Sequence, residues 1–252
     1  MMGYNPYSLE GKTILVTGAS SGIGRGTAIE CAKMGAAIVL SGRNEERLQE
    51  TLCSLEGEGH VVLCGDLNSE ETRKEIVDKM PALNGVVHCA GISQIQMAKF
   101  MDLSSLEGIF QTNVFSPLML NTLLLKKKKI QKNSSIIFIS SISGVYRSQI
   151  GEGGYGATKA ALTGYVKSLA LELSAQGTRV NTIHPGVVET PLLEVSNGTF
   201  GEEELEALKQ KYPLKRFGKP EDIAMCAVYL LSDASSWMTG SNILIDGGFT
   251  LK

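Results

Sequence analysis

The chain has 252 residues, 43% of them hydrophobic, with a net charge of −2. That is apolar material for a large buried core, which excludes a disordered chain, and the missing basic surplus argues against a nucleic-acid binder. Cys31, Cys53, Cys64, Cys89 and Cys226 are scattered and include no CxxC pair. They are expected to be buried free thiols in a reducing compartment, with no disulfide framework and no metal site. Met1 to Lys12 shows no basic segment leading into an apolar run. Val114–Leu125 is too short to span a bilayer and contains Ser116, Pro117 and Asn121. A cytoplasmic protein without a membrane segment is therefore expected.

In chain order, Lys12–Thr17 is a β-rich apolar run, followed by the turn Gly18–Gly24 and a helical pattern to about Met34, which Gly35 ends. Ala37–Leu40 is a second strand. Asn44 is placed to cap a helix over Glu45–Leu55 whose apolar face is Leu48, Leu52 and Leu55. Val61–Cys64 is a third strand, and Ser69–Met80 a helix with acidic residues at its start. Gly85–His88, Ile136–Ser140, Arg179–His184 and Asn242–Ile245 are four further strands. Strands that are continuously apolar and alternate with helices predict an α/β fold in a single domain, a mostly parallel sheet with helices on both faces. Thr190–Pro213 breaks the alternation. It is polar and Glu-rich, and reads as a lid over a site.

The first strand runs into Gly18-Ala19-Ser20-Ser21-Gly22-Ile23-Gly24, a GxxxGxG spacing. Gly18 permits a sharp turn, Gly22 lets backbone approach a pyrophosphate, and Gly24 lets the helix pack close to the strand. The helix N-terminus offers free N–H groups and a positive dipole end to phosphates. The second strand ends Ser41-Gly42-Arg43-Asn44, with an arginine where an NAD site usually has a carboxylate. A guanidinium pairs with a 2′-phosphate and stacks on adenine, so NADP(H) is the preferred cofactor and NAD(H) the alternative. Arg25 is a weaker candidate for the same task.

Tyr155-Gly156-Ala157-Thr158-Lys159 places a phenol and an ammonium on one helix face. A free phenol has a pKa near ~10, and a neighbouring cation is expected to lower it. A tyrosine so tuned passes a proton to or from a substrate oxygen while hydride moves at carbon. Ser141 is expected to hydrogen-bond that oxygen, with Ser140 and Ser143 as competitors for the role. His88 and His184 read as structural.

At this point the chain resembles the short-chain dehydrogenase/reductase family, from Leu9 to Leu251. The matching motifs are TGASSGIG (Thr17–Gly24), GDL (Gly65–Leu67), CAG (Cys89–Gly91), TN (Thr112-Asn113), SSISG (Ser140–Gly144), YGATK (Tyr155–Lys159) and HPGVVET (His184–Thr190). The resemblance implies a doubly wound seven-stranded sheet of Rossmann type. It implies Tyr155 as acid–base, Lys159 as pKa-lowering charge and ribose ligand, Ser141 as carbonyl-orienting group, and Asn113 as holder of a water linking Lys159 to solvent. It also implies cofactor contacts from Asp66, Leu67, Cys89, Ala90, Gly91, Pro185, Gly186, Val188 and Thr190. Two departures stand out. Cys89 replaces an asparagine whose amide ties neighbouring strands, and a thiol is a weak hydrogen-bonder. The spacing from Ser141 to Tyr155 is one residue longer than expected.

The tail from Pro213 to Gly248 resembles the 3-oxoacyl-acyl-carrier-protein reductase branch. The implied substrate is a small carbonyl compound, with a 3-oxoacyl thioester as one candidate and a sugar or polyol as another. An acyl carrier protein is a candidate partner, for which Lys126–Lys129 and Lys132 form a basic docking patch. The family also implies a homotetramer, with the Tyr155 helix at one interface and the apolar segment Phe249–Leu251 at another. A non-catalytic NADP(H)-binding redox sensor is the alternative function, against which Ser141, Tyr155 and Lys159 together argue.

Overall fold

Seven apolar segments form the strands. They are β1 (Thr13–Thr17), β2 (Ala37–Gly42), β3 (Val61–Cys64), β4 (Leu83–His88), β5 (Ile130–Ile139), β6 (Arg179–Pro185) and β7 (Asn242–Ile245). In this computed structural model, residues 4–191, 193 and 202–251 are described. The sheet order is β3-β2-β1-β4-β5-β6-β7. Every pairing is parallel, so the sheet is wholly rather than mostly parallel. The order reverses between β1 and β4, the crevice where open α/β sheets bind their ligands.

Successive strand residues point to opposite faces, and each face is covered. Ile14, Val16, Ile38, Leu40 and Ile137 pack under α1 (Gly22–Lys33) and α8 (Pro220–Leu231). Leu15, Val39, Val86, Ile136 and Phe138 pack under α3 (Glu70–Lys79), α5 (Ser116–Lys126) and α6 (Gly153–Leu173). Most of these side chains are fully buried, each stabilising the fold by about 1.5–3 kcal/mol relative to exposure. The remaining helices are α2 (Glu45–Cys53), α4 (Leu103–Phe110) and α7 (Glu202–Lys211). Asn44 caps α2 as expected, its Oδ1 accepting from the Arg47 N–H at 2.9 Å. Ser69 caps α3 in the same way, at 3.2 Å.

Several expectations need correction. β5 begins at Ile130, not Ile136, through the polar stretch Gln131–Ser134, where Asn133 has φ 58° and the register against β4 shifts. All five thiols are free, yet Cys53 and Cys64 are exposed, because they end α2 and β3 at the surface. Phe249 is buried within its own chain. It stacks on Tyr212 at 4.3 Å and leaves only Leu251 exposed in that segment. Of the lid expected over 190–213, residues 192 and 194–201 lie outside the described residues. No helix among the described residues is long and apolar enough to cross a membrane.

Candidate active site

At the C-terminal ends of β1, β4, β5 and β6 lies a cavity of about 530 Å³. Ile23, at the start of α1, lines it, and the glycine turn after β1 lies beside that residue. Gly24 is required there: a Cβ would lie 2.3 Å from the Gly18 carbonyl oxygen. Ser21 is the N-cap of α1 but makes no side-chain capping bond, which leaves the helix N-terminus open toward a ligand. Ile23 lines the cavity, and Thr190 is brought against Gly22, where an added Cβ would be 3.1 Å from Thr190 Cγ2. Ser20 sits beside the end of β2, its Oγ 3.5 Å from the Cβ position of Gly42. These close approaches leave no space for a side chain at Gly22 or Gly24, which fits the cradle expected for the cofactor.

The residues around this cradle divide. Ser41 is fully buried and its hydroxyl has no partner among the described residues, so its link to the turn is its carbonyl, which accepts from Ala19 N–H at 3.1 Å. Arg43 follows β2 at the surface, with no hydrogen bond or ion pair to any described residue. Arg25 belongs to the first turn of α1 and faces Glu50 at 3.6 Å. Asp66 is exposed and its Oδ1 accepts from Asn68 N–H at 3.0 Å, the strand–helix turn its type favours. Leu67 is buried, its carbonyl taken by the Ser116 hydroxyl at 2.8 Å. Gly91, Pro185, Gly186 and Val188 line the cavity with Cys89.

The strand tie that an asparagine would supply is made differently here. The backbone N–H groups of Cys89 and Ala90 both donate to Thr17 Oγ1, each at 3.1 Å. The thiol needs to do nothing for the sheet, and burial pushes it up to about 12, so it is a neutral wall group.

Three groups converge on the cavity from β5 and α6. Ser140 turns away and donates to the Lys159 carbonyl at 2.8 Å. Ser143 donates to Glu152 at 2.8 Å. Ser141 alone of the three has its hydroxyl directed at Tyr155, and it also accepts from Ser143 N–H at 3.1 Å. The longer spacing between Ser141 and Tyr155 is taken up by a turn. Tyr146 and Arg147 N–H groups both return to the Ile142 carbonyl at 2.9 Å, and Gly144 (φ 86°) packs so closely on Gly156 that a Cβ would lie 2.1 Å from its carbonyl oxygen. Lys159 is buried, its Nζ 5.8 Å from the Tyr155 ring centre and donating to the Ile139 carbonyl at 3.0 Å.

The phenol does not behave as the YxxxK spacing suggests. Burial pushes Tyr155 up to about 12; the Ser141 hydroxyl pulls the other way, and the Glu152 carboxylate adds to the rise. Burial also pulls Lys159 down to about 8, which weakens the cation expected to favour the phenolate. As built by the chain, the phenol is protonated at neutral pH.

Asn113 lies in a π-helical turn, Gln111–Phe115, between α4 and α5. Such turns often occur at functional sites. Its side chain pairs with both backbone groups of Ile92, at 2.8 and 2.9 Å, and donates to Thr158 Oγ1 at 3.1 Å. Gly91 sits between Asn113 and Lys159, with Cβ-position distances of 3.2 Å to Asn113 Oδ1 and 3.4 Å to Lys159 Nζ. His88 is buried against Phe138 at 4.4 Å, and burial takes it down to about 3. His184 lies behind Ser141, its Nδ1 2.8 Å from the Ser141 carbonyl oxygen, and burial holds it below the usual imidazole range. Both are neutral and sit outside the cavity wall.

The family model described as enoyl-(acyl carrier protein) reductase matches residues 18–250. The chain belongs to the short-chain dehydrogenase/reductase family. Among family relatives, the 3-oxoacyl-[acyl-carrier-protein] reductase FabG of Rickettsia felis is 35% identical over 96% of this chain and 98% of its own length. The FabG of Thermotoga maritima is 32% identical, over 96% and 99%. A solved Brucella melitensis family member titled glucose/ribitol dehydrogenase superposes with a TM-score of 0.89, at 29% identity over 97% of this chain and 99% of that one. Membership makes this protein an oxidoreductase that works with a nicotinamide cofactor on carbonyl or CH–OH groups.

Proposed function

We propose that this family member is an NADPH-dependent carbonyl reductase with 3-oxoacyl thioesters as its first substrate class. The observation that carries the reading is the meeting of Ser141, Tyr155 and Lys159 in one cavity, which Ile23 of the first turn of α1 also lines. The names of the FabG relatives supply the thioester class. Arg43, without a partner among the described residues, supports NADPH over NADH.

In this reading, Gly18, Ser20, Ser21, Gly22, Ile23 and Gly24 hold the pyrophosphate side of the cofactor. Asp66, Leu67, Ala90 and Gly91 hold its adenine and ribose. Pro185, Gly186, Val188 and Thr190 hold its carboxamide end. When bound, the cofactor supplies hydride chemistry at the substrate carbon. Ser141 hydrogen-bonds the carbonyl oxygen and steadies the charge that develops there. The Tyr155 O–H bond breaks and an O–H bond forms on the substrate oxygen, giving the alcohol. Lys159 stabilises the phenolate left behind, and Asn113 fixes the Ile92 backbone around it.

The reading is tested by parallel calorimetric titrations with NADPH and NADH, then turnover of acetoacetyl thioesters, diketones and sugars with the tighter cofactor. Tight NADPH binding with thioester turnover is expected, and no binding of either nucleotide would overturn it. A pH profile follows from the site. Tyr155, at about 12, stays protonated across the working range, while Lys159, at about 8, is cationic below that pH and neutral above it. Reduction should therefore lose rate as pH rises through about 8, because the forming phenolate loses its cation. Oxidation needs the phenolate first and should gain rate with pH. A reduction rate flat from pH 6 to about 10 would remove Lys159 from this role.

A homotetramer in the cytoplasm is proposed as the working form. Leu103, Phe115 and Met119 on α4, the π turn and α5, and Leu171 on α6, are large apolar side chains left exposed for such contacts. In the basic run, Lys127 is committed to Asp78 at 3.0 Å and Lys129 to the Asp78 carbonyl at 3.3 Å. Lys126, Lys128 and Lys132 remain for an acidic carrier protein.

A further inference from the structure

The cavity beyond Tyr155 is mainly apolar, walled by Ile92, Ile95, Ile142, Ile150, Leu205 and Leu208. Two carboxylates line it, Glu152 and Glu204, and Glu152 is held in place from within the described residues. It directly precedes α6 and stands three residues before Tyr155. The buried Ser143 hydroxyl donates to its Oε2 at 2.8 Å. Its other oxygen has no hydrogen bond, and its carboxylate no ion pair, among the described residues, although Lys211 lines the same cavity. A carboxylate fixed by a buried hydroxyl, with its second oxygen open to a mainly apolar cavity, acts on the charge of what enters. It accepts from a donor and repels an anion. Its charge already bears on the catalytic phenol.

We propose that Glu152, fixed by Ser143, is a specificity-determining residue that excludes carbonyl substrates bearing a free carboxylate and admits their uncharged thioester, ester or amide equivalents. The proposal rests on the reductase reading and sharpens it. In a 3-oxo acid only a methylene separates the reacting carbonyl from the carboxylate. Once the carbonyl oxygen reaches Ser141 and Tyr155, that carboxylate cannot leave the neighbourhood of Glu152. Masking the acid as a thioester removes the repulsion, and an amide N–H in the thioester arm becomes a donor for the unpaired oxygen. Lys159 and Lys211 favour an anion in this cavity and Glu204 opposes one, so replacing Glu152 alone isolates the part of the exclusion that it supplies.

The test is calorimetric titration of acetoacetate and of acetoacetamide onto the full chain saturated with NADP⁺, where no hydride is transferred. The wild-type protein and the isosteric E152Q variant are compared. The wild type should favour the amide. E152Q should raise the acetoacetate-to-acetoacetamide affinity ratio by about 10- to 100-fold, as expected for two unit charges several ångströms apart in a partly enclosed site. S143A, which frees the carboxylate to turn away, should move the ratio in the same direction by less. A ratio within about twofold in wild type and E152Q would overturn the proposal. Turnover of an acetoacetyl thioester by the wild type is measured in parallel. A shifted binding ratio with no carbonyl reduced would uphold the charge filter and overturn the reductase reading, so the two fail separately.

Discussion

Tyr155→Phe is expected to lower turnover by about 10²- to 10⁴-fold, the range for loss of a positioned general acid, while NADPH affinity changes by no more than about threefold. At 1.36 kcal/mol per tenfold, that is about 3–5.5 kcal/mol of transition-state stabilisation. The substitution removes only the hydroxyl. The ring that packs near Lys159 is kept, and the Lys159 ammonium keeps its bond to the Ile139 carbonyl. The cavity keeps its shape and loses its proton donor. Ser141 cannot take over, because a serine hydroxyl gives up its proton far less readily than a phenol. Single-turnover reduction and calorimetry separate the two effects. Retention of more than about a tenth of wild-type turnover would take Tyr155 out of the proton path.

The contrast between what the chain spells out and what it conceals follows from the range of the forces involved. Strands β1, β2, β3 and β7 are readable because parallel strands buried on both faces are continuous apolar runs. The caps at Asn44 and Ser69 are readable because a capping side chain bonds within its own first turn. β5 was readable only from Ile136, because its first residues are polar and kinked at Asn133. The π-helical turn that carries Asn113 has no side-chain signature at all.

The site shows the same division. The pairing of Tyr155 with Lys159 is a one-turn relation on a helix, and it is visible. The direction of the phenol's pKa is not, since it depends on how much protein surrounds the ring; here burial outweighs a lysine that burial has itself weakened. Thr17 was part of a visible motif, yet its task of tying Cys89 and Ala90 to β1 appears only once β1 and β4 are neighbours. Glu152 and Ser143 lie nine residues apart across a loop, and no local pattern announces that they meet. Local relations are legible, then, and the electrostatic environment that sets proton affinity and substrate choice has to be assembled first.

Arg43→Asp should lower the ratio of NADPH to NADH affinity by about 100-fold or more, the second large effect. Ser41 of β2 pairs with Thr17 of β1, so the strand delivers Arg43 to the rim of the glycine cradle, where an acidic residue would bind a ribose hydroxyl. Arg43 is exposed and unpaired among the described residues, which leaves its fork of donors for a phosphate. A hydrogen bond to a charged group contributes about 1.5–3 kcal/mol, and the new carboxylate adds repulsion toward the 2′-phosphate. NADH should lose little, because aspartate accepts from the ribose hydroxyls. Arg25 provides the internal comparison, since its guanidinium already faces Glu50, and Arg25→Asp should move the ratio by less than about threefold. Both variants are measured by calorimetry at one fixed ionic strength, because screening alone changes the phosphate contribution. If the ratio moves with Arg25 and not with Arg43, the 2′-phosphate is read from the first turn of α1 and the free guanidinium at the end of β2 is only surface charge.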